Sequence, residues 1–181
     1  MSGLRQREFE ELALPLLDSL YNFARWIAGD PDEARDLVQE TFARALKGRG
    51  SFEAGTNFRA WMFRILRNTF LTSHAGLERR NTSQEGEEGW EDAAVSFDTP
   101  ELALIRSADV DLVRRGIELL SPGLREVLIL ADLEEMKYQD VAKVLGVPIG
   151  TVMSRLWRAR KQLRRQITEA LEPKRKLGAK S

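Results

Sequence analysis

The sequence predicts an all-α protein built as two small helical domains, an N-terminal helical bundle and a C-terminal helix-turn-helix bundle, joined by a flexible acidic linker. Three observations predict it. Apolar residues recur at helical spacing in both halves, no segment sustains the period-two alternation of a strand, and the pattern lapses between about Gly76 and Pro100. A chain of 181 residues can hold one ordinary domain or two small ones. The expected boundaries are 1–75 for the first bundle, 76–104 for the linker, 105–172 for the second bundle and 173–181 for a basic tail.

In the first half, Phe9, Leu12, Leu16, Leu20, Phe23 and Ile27 mark a long helix, with Pro15 kinking or restarting it and Gly29 stopping it. Asp30 then caps a second helix whose first residue is Pro31, and Ala34, Leu37, Val38, Thr41, Phe42, Ala45 and Leu46 form its apolar face. Gly48 to Gly55 reads as a loop. Thr56 or Asn57 caps a third helix through Phe58, Trp61, Met62, Ile65 and Leu66, and a fourth element is expected to begin after Asn68. The linker carries Glu78, Glu85, Glu87, Glu88, Glu91, Asp92 and Asp98 among Gly, Ser, Asn and Thr residues, a composition that buries too little apolar surface to order itself. Trp90 and Phe97 are its exceptions, read as packing locally or docking on a neighbour. Beyond it, Pro100 to Leu120 reads as one amphipathic helix, and Ser121-Pro122 opens another through Val127, Leu130 and Leu133.

Composition narrows the function classes. The chain has no cysteine, so disulfides, thiolate nucleophiles and cysteine metal sites are all excluded, and the single His74 cannot build a zinc site alone. No metal or cofactor is expected. No run approaches the roughly 18 apolar residues of a membrane helix, and the N-terminus lacks a signal-peptide core, which reads as a cytoplasmic protein without membrane insertion. The 28 basic and 28 acidic residues cancel, yet ten basic residues between Arg155 and the C-terminus face only Glu169 and Glu172. Local density of this kind is what phosphate contacts require.

The segment from Tyr138 to Arg165 supplies the parts of a helix-turn-helix. Tyr138, Val141, Ala142 and Leu145 give a first helix, the small Ala142 allows close approach, and Gly146 makes the turn with Val147 beneath it. Pro148 precedes a second helix in which Val152 and Leu156 point inward. Thr151, Ser154, Arg155, Trp157, Arg158 and the following Arg160 and Lys161 are then left for the outer face. Arginine can bridge both acceptors of guanine, and short hydroxyls reach base edges or phosphates. A solvated basic helix pair would share part of this pattern. The glycine turn, the small packing residue and the basic second helix coincide at the spacing DNA binding needs.

Two further segments stand out in the first half. Asp36, Gln39 and Glu40 form a polar ridge beside an apolar stripe, as a solvated helix face also would. Trp61, Phe63 and Phe70 interleave with Arg59, Arg64 and Arg67 and lead into Asn68 and Thr69. Aromatics, arginines and an amide together suit an unstacked base and its backbone. Core packing accounts for Trp61 and Ile65 at least as well, and for the arginine row and Asn68 less well.

Taken in order, DLVQETFARAL, GTNFRAWMFRILRNTF, an acidic linker and LSPGLREVLILADLEEMKYQDVAKVLGVPIGTVMSRLWRARKQLR resemble the extracytoplasmic-function (ECF) class of bacterial sigma factors, within the sigma-70 family. The likeness covers nearly the whole chain except the linker and the tail from about Pro173. The GTNFRAW and PIGTVMSR wording is similar to members released from zinc-containing, redox-sensing anti-sigma proteins.

That resemblance implies a transcription initiation factor, not an enzyme, that binds core RNA polymerase, directs it to promoter DNA and nucleates melting, under the control of an anti-sigma factor. It implies that Asp36, Gln39, Glu40 and Phe42 dock on the polymerase largest subunit. It implies that Asn68 and Thr69, with Arg64 and Arg67 nearby, serve a loop that captures a flipped minus-ten base. Thr151, Ser154, Trp157 and Arg158 would meet the minus-thirty-five element, with Arg155, Arg160 and Lys161 near phosphates. Leu71-Thr72-Ser73-His74 departs from the more basic, Asp-containing stretch usual in the family. The alternative reading is a stand-alone helix-turn-helix regulator, although no heptad seam or ligand domain is visible. A sigma mimic that titrates an anti-sigma factor would lack DNA-reading residues such as Asn68 and Arg158, and both are present.

Overall fold

A computed structural model of the chain describes residues 4–78 and 109–171. The expected linker from residue 79 onward, Trp90, Phe97, the segment before Asp109 and the basic tail lie outside the described residues, while residues 76–78, expected to open the linker, belong to a helix.

In the N-terminal half α1 spans Gln6–Ala13 and α2 spans Leu17–Ala28, separated by a single 3-10 turn at Leu14–Leu16. Pro15 causes the break, since it cannot donate the backbone bond that a continuous helix needs there. Gly29 closes α2 at φ 80°, a conformation glycine adopts without a Cβ penalty, and its amide bonds back to the Arg25 carbonyl. The Asp30 carboxylate then accepts bonds from the Asp32 and Glu33 amides at 2.9 Å each and starts α3, Pro31–Gly48, with proline at its first position. A 3-10 turn at Arg49–Ser51 leads to α4, Phe58–Glu78.

The Asn57 side chain caps α4 by accepting from the Ala60 amide at 3.2 Å. The helix does not end at Asn68 but runs unbroken past it, correcting the expectation of a fourth element there. Residues 58–75 contain neither glycine nor proline. The hydroxyls of Thr69 and Thr72 donate to carbonyls four residues earlier, at 2.8 and 2.7 Å, so their polar groups are satisfied inside the helix. Phe9, Leu20, Phe23, Met62, Phe63 and Leu66 are buried between α1, α2, α3 and α4, with the Phe23 and Phe63 rings 5.5 Å apart. Full burial of such a side chain stabilises by about 1.5–3 kcal/mol.

In the C-terminal half α5 spans Val110–Glu118 and opens at Asp109, whose carboxylate accepts from the Asp111 and Leu112 amides. Asp109 caps the start of α5, so of the single helix expected from Pro100 to Leu120 the described part begins at Val110, and residues 100–108 lie outside the described residues. Helix α6, Pro122–Leu128, continues into one wide π turn at Ile129–Leu133. The extra residue in that turn rotates Leu133 outward, where it is half exposed, while Val127 and Leu130 remain buried. Helices α7, Tyr138–Leu145, and α8, Ile149–Leu171, complete the half. Gly116 on α5 lies against α8 so closely that a Cβ there would stand 2.4 Å from Leu163 Cδ1.

The halves also pack on one another, mainly α4 against α7, with α2 against α6. Arg125 ties this junction together. Its guanidinium donates to the Ile117, Glu118 and Leu120 carbonyls at the end of α5, at 3.3, 2.6 and 3.0 Å, and to the Trp26 carbonyl of α2 at 3.4 Å. Burial pushes its pKa down, opposed by the charges of Glu118 and Glu126.

Candidate nucleic-acid interface

The helix-turn-helix takes the form its residues dictate. Gly146 ends α7 in the left-handed region at φ 68°, and the amides of Gly146 and Val147 both bond to the Ala142 carbonyl, at 2.9 and 3.2 Å. Val147 then turns the chain, and the Pro148 carbonyl accepts from Thr151 and Val152 as α8 begins. Val141, Leu145, Val152 and Leu156 are buried between the two helices, which fixes the outward face of α8. On that face Thr151, Ser154, Arg155 and Arg158 are half-buried, while Trp157 and Lys161 are exposed. The Lys161 ammonium sits 4.6 Å from the Trp157 ring centroid, a cation held over an aromatic face. Ser154 rests by donating to the Thr151 carbonyl at 3.1 Å, and the Arg155 guanidinium lies beside Gly123 at the start of α6.

Arg160 is placed differently from the others. It is buried and held in a two-point pair with Asp132, so in this conformation it presents nothing to a phosphate. Its pKa is raised, chiefly by the bond to Asp132 and against the penalty of burial. The run of basic residues around it suggested an outward charge, but 160 falls on the inward side between Ala159 and Leu163.

On α3, Asp36, Gln39 and Glu40 are exposed together at helical spacing, whereas Phe42 packs half-buried against the core. Arg44 Nε donates to Glu40 Oε1 at 2.6 Å and holds that carboxyl below its usual range, with Lys47 adding a smaller charge effect. On α4, Arg64 and Asn68 are exposed one turn apart. Thr69 is buried with its hydroxyl on the Ile65 carbonyl, so it supports its neighbour without facing solvent.

Three acidic residues that the sequence does not single out, Glu126, Glu134 and Asp140, link the two halves. Arg59 donates to the Glu134 carboxylate and backbone carbonyl at 2.5 and 2.7 Å and lies over the Phe63 ring. Arg67 Nε donates to Glu126 at 3.0 Å and its Nη1 reaches the Leu145 carbonyl at 3.4 Å, while the Asn57 amide donates to Asp140 at 2.8 Å. Glu126 and Glu134 are buried. A signal for Glu126 was available, since it interrupts the apolar stretch that continues as Val127, Leu128, Ile129 and Leu130, where only a partnered charge can be buried.

These features define a helical DNA-binding protein in which a helix-turn-helix unit is coupled to a second helical unit. Comparison with known proteins sharpens that class. Residues 12–80 match Sigma-70 region 2, and residues 111–163 match Sigma-70, region 4. The chain is 32% identical over 175 residues to the RNA polymerase sigma-H factor of Pseudomonas aeruginosa, covering 93% of this chain and 88% of that protein. It is 35% identical over 150 residues to the ECF RNA polymerase sigma factor EcfG of Rhodopseudomonas palustris, covering 83% and 80%. Among solved structures it is similar to the sigma factor RpoE in complex with the anti-sigma factor NepR from Bartonella quintana, with a TM-score of 0.68, 31% identity and coverage of 90% and 98%. The structure of CnrH in complex with the cytosolic domain of CnrY gives a TM-score of 0.62 at 28% identity, covering 93% and 90%. The chain belongs to the sigma-70 family, as an ECF-type RNA polymerase sigma factor. It is a transcription initiation factor and not an enzyme. Among the described residues no helix is long and apolar enough to cross a membrane.

Proposed function

We propose that this sigma factor reads promoters at two sites, with α8 in the major groove of the minus-thirty-five element and α4 on the minus-ten strand, while α3 docks on core RNA polymerase. The observation that carries the reading is the outer face of α8, where Thr151, Ser154, Arg155, Trp157, Arg158 and Lys161 stand together behind the Gly146 turn. Arginine and short hydroxyls supply base-edge and phosphate contacts, and the exposed Trp157 supplies an apolar surface for a thymine methyl. Arg160 serves this face as a positioning residue through Asp132.

Asp36, Gln39 and Glu40 form the polymerase face with Phe42 bracing it from behind. Arg64, Arg67 and Asn68 contact the minus-ten strand, with Thr69 holding the helix beneath them. Unstacking one base costs a few kcal/mol, which pocket and phosphate contacts can offset, so melting follows from binding alone. The division at 1–75, 76–104, 105–172 and 173–181 belongs to the same reading, and two separate family matches, at 12–80 and 111–163, support a two-unit chain. So do a cytoplasmic location and control by an anti-sigma factor, supported by the partners named for similar structures. A zinc-containing, redox-sensing partner is favoured by the GTNFRAW and PIGTVMSR wording.

The test is transcription from a genomic promoter pool with purified core polymerase and the full chain. Promoter-specific transcripts are expected, lost on Arg158→Ala and, separately, on combined alanine substitution of Asp36, Gln39 and Glu40. A chain that binds duplex promoters tightly by itself and gains nothing from polymerase would favour the stand-alone regulator instead.

A further inference from the structure

Two arginines of one half meet two buried carboxylates of the other: Arg59 with Glu134 and Arg67 with Glu126, across sequence separations of 75 and 59 residues. We propose that Glu126 and Glu134 form a latch that holds the free sigma factor closed by occupying the anion-binding side of α4. This latch rests in part on the proposed minus-ten role of Arg67, and three observations independent of that role support it.

The carboxylates are where a charged group has no reason to be unless it is paired. The Glu126 and Glu134 side chains are each 9% exposed, and those of Arg67 and Arg59 are 18% and 31% exposed. The latch is distributed along α4. Eight residues separate Arg59 from Arg67, about 12 Å along the helix, so the two pairs resist a hinge from either end. Auxiliary bonds lie beside them, with Asn57 on Asp140 and Arg67 Nη1 on the carbonyl of Leu145, the last residue of α7. Lastly, the chemistry is that of substitution. A guanidinium binds carboxylate and phosphate through the same charge-assisted geometry, so Glu126 fills on Arg67 the place a backbone phosphate would take.

The two arginines then divide the work. Arg67 lies one turn from the exposed Arg64 and neighbours Asn68, so the occupant of Arg67 decides whether the full strand-facing group is available. Arg59 turns away from Asn68 around the helix and stacks over Phe63, so its pair with Glu134 acts on closure alone. Nucleic-acid phosphate and the C-terminal half compete for α4, and a partner that separates the halves makes the minus-ten face available.

The experiment uses the full chain, free of polymerase. Its lack of cysteine allows clean fluorescent labelling at Ala43→Cys and Gln139→Cys, one exposed site in each half. The variant carries Glu126→Gln and Glu134→Gln, which preserve shape and remove charge. The expected result is lower energy transfer in the variant and about tenfold tighter binding of a labelled, mixed-sequence single-stranded DNA, because apparent affinity scales with the binding-competent fraction. Adding Arg67→Ala should abolish the gain in affinity while leaving the transfer low. A charge swap, Arg59→Glu with Glu134→Arg, should restore high transfer relative to Glu134→Arg alone and separates unlatching from unfolding. Unchanged transfer in the glutamine variant overturns the latch. Lower transfer with unchanged DNA affinity leaves the latch standing and overturns the assignment of Arg67 to the minus-ten strand.

Discussion

Arg160 on α8 and Asp132 in the π turn form a two-point pair, with Nη2 2.6 Å from Oδ1 and Nε 3.0 Å from Oδ2, and both side chains are at most 15% exposed. The pair joins the turn after α6 to the middle of the helix that carries the DNA-facing residues. Removing one member of a buried pair leaves the other charged and unpaired, a loss of about 3–5 kcal/mol. Asp132→Ala should destabilise the full chain by an amount in that range in urea unfolding, and Asp132→Asn by clearly less. A loss for Asp132→Ala below about 1 kcal/mol, the scale of an exposed pair, would contradict this placement of Arg160.

Two glycines are required for different reasons, and alanine separates them. Gly146 has φ 68° with open space where a side chain would begin, so Gly146→Ala meets only backbone strain, about 1–2 kcal/mol, and asparagine should be better tolerated. Gly116 lies inside α5, where alanine would gain about 1 kcal/mol of helix propensity. The 2.4 Å approach to the fully buried Leu163 opposes it, and overpacking of about 1–3 kcal/mol should prevail. Calorimetric melting of Gly116→Ala, Leu163→Val and the double variant should show a combined loss smaller than the sum. Strict additivity would mean that α5 and α8 do not touch at this point.

The Glu40 carboxyl titrates below its usual range because Arg44 hydrogen-bonds its charged form. A carboxyl depressed in the folded state contributes stability that is present above its unfolded pKa and is lost as pH falls through the folded value. Acidification therefore releases the Glu40 and Arg44 pair in the acid range, below the ordinary carboxylate value. Carbon-detected NMR titration should show Glu40 moving up toward that ordinary value in Arg44→Ala. No movement would mean the pair seen on the exposed face of α3 does not persist in solution.

Much of this was legible because it is local. Asp30 before Pro31, Pro15 between α1 and α2, and Gly146 ahead of Val152 and Leu156 each act within one or two turns, where residue chemistry and spacing set the geometry. The continuity of α4 was misread. The expected break after Asn68 does not occur, and Thr69 and Thr72 beyond it return their hydroxyls to the helix's own carbonyls. The orientation of Arg160 was masked by its basic neighbours, although Leu156 and Leu163, four residues before it and three after, already place it on the inward face; what lay out of reach was its partner Asp132, 28 residues earlier. The bridges from Asn57, Arg59 and Arg67 span 59 to 83 residues, and helical periodicity says nothing of which distant carboxylate a face will meet. Arg59 and Arg67 were noticed as a nucleic-acid pattern, while a second owner for them inside the same chain was not.

Trp157 is 49% exposed on α8, with the Lys161 ammonium over its ring, and neither side chain supports the fold. Their substitutions should therefore change stability by less than about 0.5 kcal/mol, so that any loss of DNA binding reflects the surface itself. The two should fail differently. Lys161→Ala removes a phosphate-directed charge, which weakens binding to every duplex alike and lowers the salt slope of the association constant by about one. Trp157→Ala removes an apolar contact with a base edge, so it should leave the salt slope near the parent value and flatten the preference at one thymine-containing step of the minus-thirty-five element. Polymerase-bound protein titrated with duplex variants across a range of salt measures both quantities. If Trp157→Ala lowered the salt slope and spared sequence preference, the ring would be serving only to position Lys161, and the base-reading role proposed for Trp157 would be withdrawn in favour of that one.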